Sequence, residues 1–219
     1  MPIAQPLPAS LAKRHLAWKA GRSSEAKARM SALAGAQNPA AMVISCCDSR
    51  VIPTNLFGLA EDDFFVQRSV ANLVPPFGAG GPEQGTAAAV QFALTALKVP
   101  HLIVMGHSNC GGVHGYHRIA TGKAPELADS TNFVGRWIRH LAPAYEKLRA
   151  TCSGDACADA LEKEGVKMSL DNLMSFDFVR EAVEAGRLTL HGLWNDIGKG
   201  DLWWYDAEAD AFRLIEAAR

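Results

Sequence analysis

Three short apolar runs constrain this chain more than any other feature. Residues 41–45 (AMVIS), 64–67 (FFVQ) and 101–105 (HLIVM) have strand length and strand composition. Helical stretches lie between them. The longest, 85–97, is Ala-rich and apolar on most faces, and is therefore expected as a buried helix. Strands alternating with helices build βαβ units, whose strands run parallel. The expected class is α/β, with a mainly parallel central sheet flanked by helices. Two further strands are expected at 188–194 and 202–205, and a helix over 177–185 ended by Gly186. A length of 219 residues suits one such domain, and no internal repeat or clean linker divides it.

Ahead of the first strand the pattern changes. Residues 1–8 are proline-rich and extended. Ser10 is placed to cap a helix over 11–20, and a second, polar helix runs from Ser23 to about Leu33. Leu11, Leu16, Trp18, Met30 and Leu33 are too few to bury on an isolated helix pair. Residues 1–34 are therefore expected to form a helical arm that packs on something else, such as a partner subunit. Residues 35–219 are expected to form a single domain.

Chemistry follows two of the strands directly. Cys46-Cys47-Asp48-Ser49-Arg50 comes after the first and His107-Ser108-Asn109-Cys110-Gly111-Gly112 after the third. Both clusters occupy carboxyl ends of parallel strands, where open α/β sheets place their ligands. Cys46, His107 and Cys110 offer two thiolates and an imidazole, a set that suits zinc with a fourth position left over. Asp48 either closes that position or turns away to take a bidentate fork from Arg50. Only the second arrangement leaves the metal a water. Gly111 and Gly112 let backbone approach closely and leave N–H groups for an anion. Singly, H-x-x-C and C-x-D-x-R are weak signals, since a buried thiol, a core histidine or a surface ion pair explains each. Their placement at two strand ends carries the metal reading.

Composition removes other classes. Lys plus Arg total 22 and Asp plus Glu 23, a net charge of −1, which offers no electrostatic footprint to nucleic acid or an anionic membrane. The longest apolar stretch, 86–97, contains Gln91 and Thr95 and is too short to span a bilayer. The first residues lack a basic region followed by an apolar core, so a cytoplasmic location is expected. Cysteines in that compartment point to metal or catalysis before disulfides. Cys152 and Cys157 could pair under oxidation or bind metal weakly, and are read as two free thiols. Cys47 is expected as a buried thiol. His114 and His117 could relay a proton but are read as exposed helix residues, and His101 and His191 as structural. The absence of C-x-x-C disfavours a thiol redox enzyme.

The motifs resemble those of the β-class carbonic anhydrases, and more closely their plant-type branch. The segments that carry the resemblance are CCDSRVIP (46–53), FFVQRSVANLVPP (64–76) and KVPHLIVMGHSNCGGV (98–113). The tail SLDNLMSFDFVREAVEAGRLTLHGLWNDIGKGDL (169–202) adds to them, in the family's order. The resemblance implies Zn2+ held by Cys46, His107 and Cys110, with Asp48 and Arg50 as a dyad beside it. It implies reversible hydration of CO2 to bicarbonate and a proton by a zinc-bound hydroxide. Gln37, Phe65, Val70, Phe92 and Gly111 match the residues that meet the substrate. In the family the glutamine comes from the dimer mate, which implies a homodimer or higher homo-oligomer. Phe92 stands where the plant-type pattern has Tyr and so lacks a hydroxyl. No Trp stands in Ala40-Ala41-Met42-Val43, so the bicarbonate switch of some β-class enzymes is not expected. Two thiolates make zinc a weaker Lewis acid than three imidazoles do, which implies activity rising into the alkaline range. Two alternatives stay open. One is hydrolysis of carbon disulfide or carbonyl sulfide on the same fold. The other is a non-catalytic zinc-stabilised regulatory protein with Asp48 on the metal.

Overall fold

The apolar runs become strands of one sheet. The computed structural model describes residues 3–59, 62–79 and 85–216. Its strands are β1 (Ala41–Cys46), β2 (Phe64–Ser69), β3 (His101–His107), β4 (Thr189–Asp196), β5 (Asp201–Asp206) and β6 (Ala211–Leu214). Among the described residues they form a six-stranded sheet in the order β2-β1-β3-β4-β5-β6. β1 pairs in parallel with β2 and β3, and β3 pairs in parallel with β4. β5 and β6 extend the sheet antiparallel. Every residue of β1 is buried, and in β3 only His101 is exposed. Strands covered on both faces read as continuous apolar runs rather than as an alternation. The edge strand β6 was not expected from the sequence: it is only 4 residues long, and half of it faces solvent.

The chain divides into two compact units, Met1–Gln37 and Asn38–Arg219. The first contains α1 (Ala9–Gly21) and α2 (Ser24–Leu33), and neither helix buries a residue. Leu11, Leu16 and Trp18 are exposed. Ser23 caps α2 by accepting the Ala26 N–H. Ser10 does not cap α1: the helix begins at Ala9, and the Pro8 carbonyl accepts from the Leu11 and Ala12 N–H groups.

In the second unit the helices are α3 (Pro53–Leu56), α4 (Gly85–Thr95), α5 (Gly111–Ala120), α6 (Pro125–Ala128), α7 (Phe133–Ile138), α8 (Ala142–Leu148), α9 (Asp155–Leu173) and α10 (Asp177–Glu184). Side chains alternate between two cores. Met42, Ile44, Leu102 and Val104 pack with Val166, Leu173, Phe176 and Val179 of the α9–α10 region. Val43, Ile103 and Met105 pack on the other side with Val51 and Leu193. Each such side chain, fully buried, contributes about 1.5–3 kcal/mol. α9 comes so close to β3 that a Cβ on Gly106 would lie 2.7 Å from Val166 Cγ2.

Three expectations fail here. α4 is not buried all round: Thr86, Val90 and Ala93 form its buried face, and Phe92 is exposed. Cys47 is exposed rather than buried, because β1 ends at Cys46 and the next side chain leaves the sheet. Cys152 and Cys157 are not free thiols; they form a disulfide across the turn between α8 and α9. Gly154, at φ 59°, reverses the chain there, and Cys157 lies on the buried face of α9.

Candidate metal centre

Cys46 ends β1 and His107 ends the neighbouring strand β3, so parallel pairing alone brings them to one end of the sheet. Cys110 joins them from the turn into α5. That turn needs a left-handed residue, which Asn109 supplies at φ 54°. The two sulfurs lie 3.9 Å apart. The ligand atoms of Cys46, His107 and Cys110 all fall within 4.8 Å of one another, and all three residues are buried.

Backbone N–H groups of Asp48 and Ala71 point at Cys46 Sγ, and those of Gly112 and Val113 at Cys110 Sγ. Ala71 does this at φ 61°, ψ 25°, a conformation costing a non-glycine residue about 1–3 kcal/mol. Two thiols this close do not ionise independently. The hydrogen bond from Cys110 pulls Cys46 well below the ordinary thiol range. The same bond, burial and the Cys46 charge push Cys110 far above the ordinary thiol range. A dication is what allows both to carry charge.

His107 tests whether a metal fits. Its Nδ1–H donates to the Ser108 carbonyl at 2.9 Å, which leaves the lone pair on Nε2. Nε2 is buried and has no hydrogen-bond partner. Buried polar atoms are normally paired, so an orphaned imidazole nitrogen beside two thiols fits a soft, nitrogen- and sulfur-liganded ion such as zinc.

Asp48 stands beside this cluster without belonging to it. Arg50 Nε donates to Asp48 Oδ1 at 2.9 Å and Nη2 to Oδ2 at 2.7 Å, while the Arg50 N–H also donates to Oδ1. This fork holds the Asp48 carboxyl well below the usual carboxylate range. Nη2 also reaches the Asn109 carbonyl at 3.2 Å, so Arg50 ties the two ligand turns together. Of the two arrangements open to Asp48, the structure has the one turned to Arg50.

Sequence reasoning missed Arg68. From β2 its guanidinium donates to the carbonyls of Cys46, Asp48 and Val51, clamping the turn that carries Cys46. An arginine inside an apolar strand was the available signal.

Val70 opens a 3-10 turn, and its Cγ1 would lie 2.7 Å from a Cβ on Gly112. Gly111 has open space around it. Phe65 and Phe92 lie with ring centroids 5.8 Å apart. Gln37 belongs to the N-terminal unit.

The carbonic anhydrase family model matches residues 41–202, which include the three-residue cluster and the whole parallel part of the sheet. This chain belongs to the β-class carbonic anhydrases. It is 37% identical over 182 residues to beta carbonic anhydrase 3 of Arabidopsis thaliana, covering 80% of this chain and 69% of that protein. To the chloroplastic beta carbonic anhydrase 5 of the same plant it is 36% identical over 183 residues, covering 82% of this chain and 58% of that protein. The solved structure of the β-carbonic anhydrase CcaA superposes with a TM-score of 0.86 at 26% identity, covering 95% of this chain and 92% of that one. A tetrameric β-carbonic anhydrase of the ascomycete Sordaria macrospora gives 0.73 at 27% identity, covering 89% and 94%.

Behind Cys110 this carbonic anhydrase holds a carboxylate that sequence reasoning also missed. Glu162 of α9 is buried. Its Oε1 accepts the Cys110 N–H at 2.9 Å and faces His114 Nε2 at 3.2 Å; Oε2 accepts from Trp194 Nε1 at 3.2 Å. Burial pushes its carboxyl above the ordinary range. The expectation of two exposed helix histidines therefore fails. His114 is turned inward to Glu162, and His117 is buried, with its ring edge-on to Tyr145. The signal for Glu162 was its phase: it lies on the face of α9 marked by Ala158, Leu161, Gly165, Val166 and Ser169.

Proposed function

We propose that this chain catalyses the zinc-dependent, reversible hydration of CO2 to bicarbonate and a proton. The observation that carries this is the unpartnered, buried Nε2 of His107 beside the Cys46 and Cys110 sulfurs. These three residues would hold Zn2+. When bound, it supplies a Lewis acid that brings the pKa of a water within physiological reach.

The chain's own groups do the rest. Asp48, kept ionised by Arg50, accepts a hydrogen bond from the attacking water and aims its lone pair at carbon. By holding both Asp48 oxygens, Arg50 also keeps the carboxylate from taking the fourth metal position. Phe65, Val70 and Phe92 offer apolar surface, which suits CO2 and disfavours its charged product. The Gly111 N–H and the Gln37 amide steady the oxygens that gain charge. Phe92 has no hydroxyl, so no proton passes there.

The same reading includes a homo-oligomer. The exposed Leu11, Leu16 and Trp18 suit a subunit contact, and a structural relative at 27% identity is tetrameric. Gln37 would then serve the site of a subunit mate.

Stopped-flow CO2 hydration by metal-analysed protein, from mildly acid to alkaline pH, tests the reading. The expected result is about one zinc per chain and turnover that rises with pH, both lost in Cys110→Ser. Zinc bound without turnover at any pH would overturn it.

A further inference from the structure

Glu162 is an expensive residue. Its side chain is 1% exposed, and a buried carboxylate is costly unless each oxygen is paired. Both oxygens are paired, and the partners fall into a chain. Oε1 takes the main-chain N–H of Cys110, the residue that precedes α5. Oε2 takes the indole N–H of Trp194 on β4. The face of that indole lies 4.4 Å from Lys163 Nζ, the next residue along α9, and the same ammonium lies 4.9 Å from the Trp203 ring on β5. Glu162 is thus braced from the antiparallel side of the sheet, and what it braces in turn is Cys110. Glu164, two residues on, is a second buried carboxylate of α9. It is spent on Lys147 and Lys167.

We infer that Glu162 is a positioning residue of the metal centre: from α9 its carboxylate fixes the main chain of Cys110, and so the place of Cys110 Sγ relative to Cys46 and His107. This rests on the zinc reading above. A carboxylate is required there. A glutamine has one acceptor oxygen, and the Cys110 and Trp194 N–H groups would compete for it while its own NH2 met the loser.

The test is zinc affinity by competition with a chromogenic chelator, together with the thiolate charge-transfer absorption of the cobalt(II)-substituted protein. Glu162→Gln is expected to weaken zinc binding roughly 10–100-fold and to change the cobalt spectrum. Trp194→Phe keeps the aromatic face but removes the N–H, and should weaken zinc less, in the same direction. Glu164→Gln removes another buried carboxylate from the same helix and should leave affinity within about twofold of the parent. Two results would overturn the role: parental affinity and spectrum in Glu162→Gln, or an equal loss in Glu164→Gln. Should Glu162→Gln fail to fold, Trp194→Phe decides, and parental zinc affinity in it overturns the role. Failure of the zinc reading is seen separately, as a parent protein that takes up no zinc.

Discussion

Strand β3 carries a histidine at each end, and the two have opposite fates. At its carboxyl end His107 is fully buried, one ring nitrogen spent on the Ser108 carbonyl and the other left without a partner beside two thiols. At its amino end His101 is exposed, and its Nδ1 lies 3.1 Å from Nε2 of His191 on β4, so the two imidazoles satisfy one another. Both ends bring ligand-type residues together from neighbouring parallel strands. What separates them is satisfaction. A pair that completes its own hydrogen bonds in contact with water has no need of a metal. A buried lone pair that the protein leaves open offers a metal a ligand. The difference also follows strand direction, because loops leaving the carboxyl ends of parallel strands converge there and deliver Asp48, Arg50 and Cys110.

Substitutions at the two ends can break this contrast. Cys110→Ser should have the largest effect, abolishing bound zinc and reducing CO2 hydration to background. His191→Gln should leave zinc content at the parental value, and metal analysis of both proteins checks the pair. Next in size, Asp48→Asn should retain zinc yet lower turnover about 10²–10⁴-fold, as loss of a positioned proton acceptor does. Parental turnover in that variant would remove Asp48 from the chemistry.

Gly106→Ala probes the packing that holds the carboxyl end in place. Its Cβ would meet Val166 Cγ2, and denaturant unfolding should show about 1–3 kcal/mol of lost stability. Gly111→Ala, which meets nothing within 4 Å, should stay within about 0.5 kcal/mol.

The smallest effect belongs to the amino end and depends on pH. Burial, and then the charge of His101, push His191 below its ordinary value of 6.5. As pH falls through 6.5 the unfolded chain takes up a proton that the folded chain still refuses. Stability therefore falls on acidification, down through the lowered folded value. His191→Gln should flatten melting temperature against pH below neutrality. It should not level it, because burial lowers His117 and His140 in the same way. A slope identical to the parent's would mean that His191 titrates as it would in water.

The parallel core and the cluster of Cys46, His107 and Cys110 were legible in the sequence for one reason. Each is a local pattern: a run of β-branched and aliphatic residues, then a short motif directly after it. The helix pair before the first strand was legible in the same way, with Ser23 as the cap of α2. Features set by contacts between distant segments were not legible. Arg68 looks like one more strand residue until β2 lies beside β1 and its guanidinium finds three carbonyls. Glu162 looks like a solvated helix glutamate until the phase of α9 turns it onto Cys110. The pairing of Cys152 with Cys157 depends on where α9 starts, and the exposure of Cys47 on where β1 stops.

Asp48 marks the boundary most clearly. From sequence alone it could close the metal site or leave it open, since both arrangements satisfy a carboxylate locally. The side chain that decides is Arg50, which holds the carboxylate in a fork and also reaches the carbonyl of Asn109 once two strands whose final residues, Cys46 and His107, lie 61 residues apart have paired side by side. By itself the sequence determined which atoms were available for chemistry, because ligand identity is a property of residue type and short spacing. Only the tertiary structure decided which of those atoms are left unsatisfied, because that depends on every donor and acceptor that folding brings within reach.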